Sequence, residues 1–158
     1  MDFSEQIRYC HTFPDDTLGV SWARHLVFSL YDNEEYFLQV DSHTYFEENW
    51  DENLINQYEV LLKKSQKPII STYPYGFSLD EYGEVIYKKP SGKSVLVLRP
   101  KEECTLSKDS FVLQFRAKHI TSNEAITGCH IAAGFLFTKG SFIEEIPYDP
   151  YLYFHGEE

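Results

Sequence analysis

The stretch Tyr36–Phe46, YFLQVDSHTYF, runs from an apolar segment straight into a carboxylate, a hydroxyl and an imidazole. With Glu35, its first half is short, almost wholly apolar and rich in residues that favour strands. That pattern reads as a strand covered on both faces. Upstream, GVSWARHLVFSLY (19–31) sets Val20, Ala23, Leu26, Val27 and Leu30 on one stripe, which predicts a helix over 20–31 with Gly19 or Ser21 near its start. Downstream, DENLINQYEVLLKKS (51–65) predicts a second amphipathic helix over 52–64, with Leu54, Ile55, Tyr58, Leu61 and Leu62 inward. Asp51 and Glu52 at its start and Lys63 and Lys64 at its end suit the helix dipole.

Pro68 opens PIISTYP, a second buried strand by the same reading. Helix–strand order repeated twice predicts that YFLQV and PIISTYP are adjacent parallel strands, with helices covering the sheet. Residues 75–93 turn repeatedly and predict a hairpin or surface loop. SVLVLRP (94–100), SFVLQFRAKHI (110–120) and GCHIAAGFLFTKG (128–140) read as further strands, and SFIEEI (141–146) as one helical turn. The fold class is α/β with an antiparallel portion. Ligands of such sheets bind beyond the carboxyl ends of the strands, where Asp41 and His43 fall.

Composition narrows the function. A chain of 158 residues, 42% hydrophobic and 16% aromatic, suits one domain with a packed core. Its 25 acidic residues outnumber 14 basic ones, for a net charge of −11. Such a surface repels phosphate backbones and argues against nucleic acid as a partner. An anionic ligand needs local positive charge, which a bound metal supplies economically. No apolar run is long enough to span a membrane, and MDFSEQIRYC does not read as a signal peptide. Cys10, Cys104 and Cys129 are odd in number and widely spaced, which fits a reduced, cytoplasmic setting and no zinc knuckle.

Residues i and i+2 of an extended chain point to the same side, so Asp41 and His43 can converge on one point. A carboxylate oxygen with an imidazole nitrogen suits a borderline divalent ion such as manganese. Manganese or magnesium held by few protein ligands keeps positions open for substrate phosphates. The same residues also suit a plain turn, with Asp41 capping it and His43 solvated. Spacing alone does not choose between the two.

YFLQVDSHTYFEENWD resembles the central motif of a glycosyltransferase family that adds N-acetylglucosamine from UDP-GlcNAc. Its eukaryotic members act on hydroxyproline of a ubiquitin-ligase adaptor. GVSWAR, ISTYP, AAGFLF and PYDPYLYFHGEE fit the same pattern in the same order, across most of the chain. Polypeptide GalNAc-transferases carry a similar Asp-x-His arrangement. The resemblance implies a GT-A fold, a Rossmann-like mixed sheet with helices on both faces, in a single partial domain over 1–158. It is expected to be incomplete at its N-terminal side, with sheet edges left open to self-association.

By the same resemblance, Asp41 and His43 hold the metal, manganese or magnesium, and the diphosphate of a UDP-sugar donor, with Ser42 beside them. Arg24 pairs with the diphosphate or sugar, Ala133 and Gly134 let the sugar approach backbone, and His155 is a candidate third metal ligand. Glu157 and Glu158 match the acidic end of the motif, expected near the acceptor hydroxyl and in the same cleft as Asp41. The implied activity is metal-dependent transfer of N-acetylglucosamine to a protein or glycan hydroxyl. The alternatives are a non-catalytic sugar-nucleotide-binding module of the same fold and an aromatic-rich carbohydrate-binding domain.

Overall fold

The computed structural model describes residues 4–88, 94–101 and 114–152. In chain order its elements are α1 (Val20–Phe28), β1 (Tyr36–Val40), α2 (Trp50–Leu62), β2 (Ile70–Ser71), β3 (Phe77–Leu79), β4 (Val85–Tyr87), β5 (Ser94–Pro100), β6 (Phe115–Thr121), β7 (Phe135–Lys139) and α3 (Phe142–Glu145). The chain divides into two units, one of residues up to Phe37 and from Thr138 onward, the other Leu38–Phe137.

In the first unit, α1 starts where Gly19, with φ 109°, takes a backbone conformation that a side chain would strain. Helix α1 ends at Phe28, short of the expected residue 31, and its buried face is not the aliphatic stripe. Ser21 and Phe28 are buried, whereas Val27 is 56% exposed. The reason is aromatic packing. Phe28 meets Phe37 edge-on at 5.3 Å and Tyr148 at 5.2 Å, and Phe37 stacks on Phe142 at 6.0 Å. Large rings bury more area than Val27 and set the rotation of the helix. The single turn α3 falls where SFIEEI predicts it.

In the second unit, α2 turns Tyr58 into the core, with Leu54, Ile55, Leu61 and Leu62 half-buried beside it, as the heptad-like spacing predicts. Tyr58 meets Phe137 of β7 edge-on at 5.8 Å. The turn-rich stretch after Tyr75 contains the hairpin β3–β4, with Ser78 opposite Ile86, while residues 89–93 lie outside the described residues. Strands β5 and β6 pair antiparallel over their full length, from Ser94 opposite Thr121 to Pro100 opposite Phe115.

The third sheet corrects one expectation. Its order is β1-β7-β2, so YFLQV and PIISTYP are not neighbours. Strand β2 pairs antiparallel with β7, Ile70 opposite Phe137 and Ser71 opposite Leu136. Leu136 and Phe137 are almost fully buried, whereas every residue of β1 and β2 is only half-buried. The most deeply buried strand takes the centre, and β1 is not covered on both faces. GCHIAAG is also not strand, since β7 begins only at Phe135. The whole is mixed α/β, with small sheets and few helices.

Candidate functional site

All parts of the candidate site described here lie in the second unit. Strand β1 ends at Val40, and the next residues close a tight turn in which the Thr44 hydroxyl donates to the Asp41 carbonyl at 2.8 Å. Ser42 and His43 occupy its apex, exposed. The Asp41 and His43 side chains converge, His43 Nε2 standing 3.9 Å from Asp41 Oδ2. Their convergence comes from the turn that the Thr44–Asp41 hydrogen bond closes, and not from extended chain. His43 is 85% exposed at its side chain and Asp41 47%, which leaves both donors open to an incoming ligand.

Gly134 explains where the Asp41 carboxylate rests. A methyl group on Gly134 would stand 2.6 Å from Asp41 Oδ2 and 3.2 Å from its Cγ. The carboxylate therefore lies against the bare Cα, a close approach that only glycine permits. Ala132-Ala133-Gly134 leads into β7 as a turn, with the Phe135 amide donating to the Ala132 carbonyl at 3.0 Å. Gln39 of β1 donates from Nε2 to the Ala133 carbonyl at 2.7 Å, and Ser71 Oγ of β2 accepts the Ala132 amide at 2.8 Å. The floor under Asp41 is thus tied to both flanking strands.

Gln39 and Ser71 escape the sequence reading as site residues. Gln39 did carry a signal, being the one polar side chain inside the apolar run YFLQV. Beyond the turn, Tyr45 packs on Phe77 and Tyr87 of the hairpin at 5.8 and 6.1 Å, and Phe46 lies 4.4 Å from Trp50 at the start of α2. These rings fasten the far end of the Asp-Ser-His turn, leaving the two donors on a short, braced segment.

Of the other expected site residues, Arg24 belongs to the first unit, where its guanidinium lies over the Tyr148 ring at 5.4 Å. His25 in the same helix bonds the Tyr148 carbonyl through Nδ1 at 3.0 Å. His155, Glu157 and Glu158 lie outside the described residues, as does Cys104. Among the described residues no group of three His, Cys, Asp or Glu side chains gathers to hold a metal, so Asp41 and His43 stand as a pair. No helix among them is long and apolar enough to cross a membrane.

A strand-end carboxylate and imidazole thus stand together over a glycine turn, in a chain of mixed α/β structure. Sequence comparison supplies the family. The whole chain, residues 1–158, matches the family described as Glycosyltransferase (GlcNAc), and the protein belongs to it. No curated protein and no solved structure gives a significant match. Membership makes it a glycosyltransferase-family protein, with a sugar donor and an acceptor implied.

Proposed function

We propose that the protein transfers N-acetylglucosamine from UDP-GlcNAc to a hydroxyl of a protein or glycan acceptor, with a divalent ion, manganese or magnesium, held by Asp41 and His43. The observation carrying this reading is the Asp41 carboxylate seated against Gly134 with His43 Nε2 3.9 Å away. One oxygen and one nitrogen donor, both open to solvent, fit an ion that draws its remaining ligands from a diphosphate. When bound, such an ion would neutralise charge developing on the UDP leaving group.

The chain's own residues supply positioning. Gln39 and Ser71 fix the Ala132–Gly134 turn on which Asp41 rests, and Thr44 closes the turn that aims His43. Preset donors of this kind cost no reorganisation when a ligand arrives. Ala133 and Gly134, small and half-buried, leave backbone open to a sugar ring beside Asp41.

Titration of UDP into the protein by calorimetry, with and without manganese, tests the reading. Binding is expected only with manganese. Asp41→Ala should abolish it and His43→Ala should weaken it, both at unchanged circular dichroism. Equal UDP affinity in the presence of a chelator would refute the metal site. Hydrolysis of UDP-GlcNAc then separates a transferase from a module that only binds the donor.

A further inference from the structure

Residues 7–13 form a strand-like stripe in the first unit. A single 3-10 turn at Ser4–Gln6 precedes them and another at Pro14–Asp16 follows. Between the turns the chain neither turns nor bends, and among the described residues no backbone hydrogen bond involves residues 8–12. Side chains of an extended segment alternate between two sides. Arg8 ties one side down, donating to the Leu30 carbonyl and the Glu34 carboxylate and pairing with Asp32. Ile7, Tyr9, His11 and Phe13 fall on the other side, the Tyr9 and His11 rings 6.1 Å apart and the His11 and Phe13 rings 5.1 Å apart.

This second side is uncovered. Ile7 is 67% exposed, Tyr9 78% and Phe13 65%, and His11 is exposed between them. Single apolar residues at a surface are ordinary, but a row of them on a tethered segment makes a patch of the kind that binds another polypeptide. Aromatic side chains bury roughly 150–250 Å² each when enclosed, so four side chains of this exposure offer on the order of 400–600 Å². Two such patches together reach about 800–1,200 Å², the low end for a specific interface.

We propose that the stripe is covered by a second copy of this chain, the two packing ring side to ring side about a two-fold axis at Cys10. The stripe is symmetric about that residue. An antiparallel match centred there sets Ile7 against Phe13 and Tyr9 against His11, so every member of the row meets another member. The turns Ser4–Gln6 and Pro14–Asp16 stand at equal distances on either side of Cys10 and bound the contact at both ends. Charge favours the same place. Residues 6–13 contain no Asp or Glu in a chain of net charge −11, and Arg8 is already paired within its own copy. Two copies that repel through their acidic surfaces meet the least repulsion here. A two-fold contact uses the same patch on both partners, and its modest area makes the dimer weak and reversible. This pairing does not rest on the transfer reading above.

Sedimentation equilibrium on the full chain, from about 10 µM to about 1 mM, tests the pairing. A reductant is present throughout, because Cys10 and Cys129 are exposed thiols. The wild type is expected to pass from monomer to dimer in this range and to go no further, since the contact consumes the stripe of both copies. Tyr9→Asp and Phe13→Asp should each weaken dimerisation about tenfold or more at wild-type melting temperature, because each brings a carboxylate into the contact twice. Tyr82→Asp, which removes an exposed ring in the second unit, should dimerise as the wild type does. A chain that stays monomeric over the whole range overturns the proposal and leaves the stripe to a different polypeptide. So does a dimer that keeps wild-type affinity in both the Tyr9 and Phe13 variants, and so does association that continues past the dimer.

Discussion

Replacing Gly134 by alanine tests the seat of Asp41 directly. The added methyl would lie 2.6 Å from Asp41 Oδ2, where ordinary contact begins near 3.4 Å, so the oxygen must retreat by about 0.8 Å, the difference of the two. Asp41 is half exposed at its side chain and can swing into solvent, so the backbone need not move. Gly134 is not among the residues with positive φ, and alanine there stabilises the chain modestly, by about 0.4–1 kcal/mol, through the unfolded state. Binding should behave in the opposite sense. A donor group tolerates about 0.5 Å of error, and a shift of about 1 Å can cost on the order of 100-fold. Gly134→Ala should therefore lower manganese-dependent UDP affinity by about 10–100-fold, or roughly 1.4–2.7 kcal/mol. Calorimetry reads the affinity and thermal melting the fold. Wild-type affinity with wild-type manganese dependence would refute the seat. A melting temperature several degrees lower would refute the claim that the displacement stays local.

Three further substitutions probe the two units. In the first, a methyl on Gly140 would overlap the Glu34 carbonyl oxygen and stand 2.9 Å from Tyr31 Cε2, so Gly140→Ala should cost about 1–3 kcal/mol, read by chemical denaturation. In the second, Tyr58 is 1% exposed, and Tyr58→Ala should cost about 3–5 kcal/mol, with only partial recovery in Tyr58→Phe, which loses the buried hydroxyl. Lys139 donates to Glu35 at 2.8 Å and lies 4.1 Å over the Tyr36 ring, so Lys139→Met should lower the melting temperature at neutral pH. The hydrogen bond from Lys139, foremost, holds the Glu35 carboxyl below its ordinary value, and the bond to Glu35, foremost, raises Lys139. The pair's contribution is therefore present above the ordinary carboxylate range and fades as pH falls through the lowered Glu35 value. It fades again as pH rises through the raised Lys139 value. A melting difference that stays constant from acid through alkaline pH would refute this pairing.

Local pattern made some elements readable and long-range competition hid others. Both long helices, the hairpin after Tyr75 and the short turn at Phe142 follow from spacing and turn residues within about a dozen positions. The order of strands does not. YFLQV and PIISTYP look alike in composition, and nothing within either says that β7 will come between them. Only the burial of Leu136 and Phe137 against partners such as Tyr58 decides it, and those contacts join distant parts of the chain. The face of α1 went wrong for the same reason. Aliphatic spacing pointed to Val27, but Phe28 finds Phe37 and Tyr148, and rings that large outweigh a stripe of smaller side chains.

The candidate turn is local, and its packing involves one distant residue. Asp41, Ser42, His43 and Thr44 form a turn that any four-residue window contains, and such turns are common at strand ends. Within that turn alone, an exposed aspartate and histidine 3.9 Å apart carry little meaning. What distinguishes this turn is a glycine more than ninety positions later, whose missing side chain receives the carboxylate. Gln39 and Ser71 hold the backbone just before that glycine from the two strands flanking β7. The central place of β7, which overturns the expected strand order, is thus also what carries Gly134 to Asp41. If β2 lay beside β1 as the alternation of helices and strands suggested, Gln39 and Ser71 could not grip the Ala132–Gly134 turn from opposite sides.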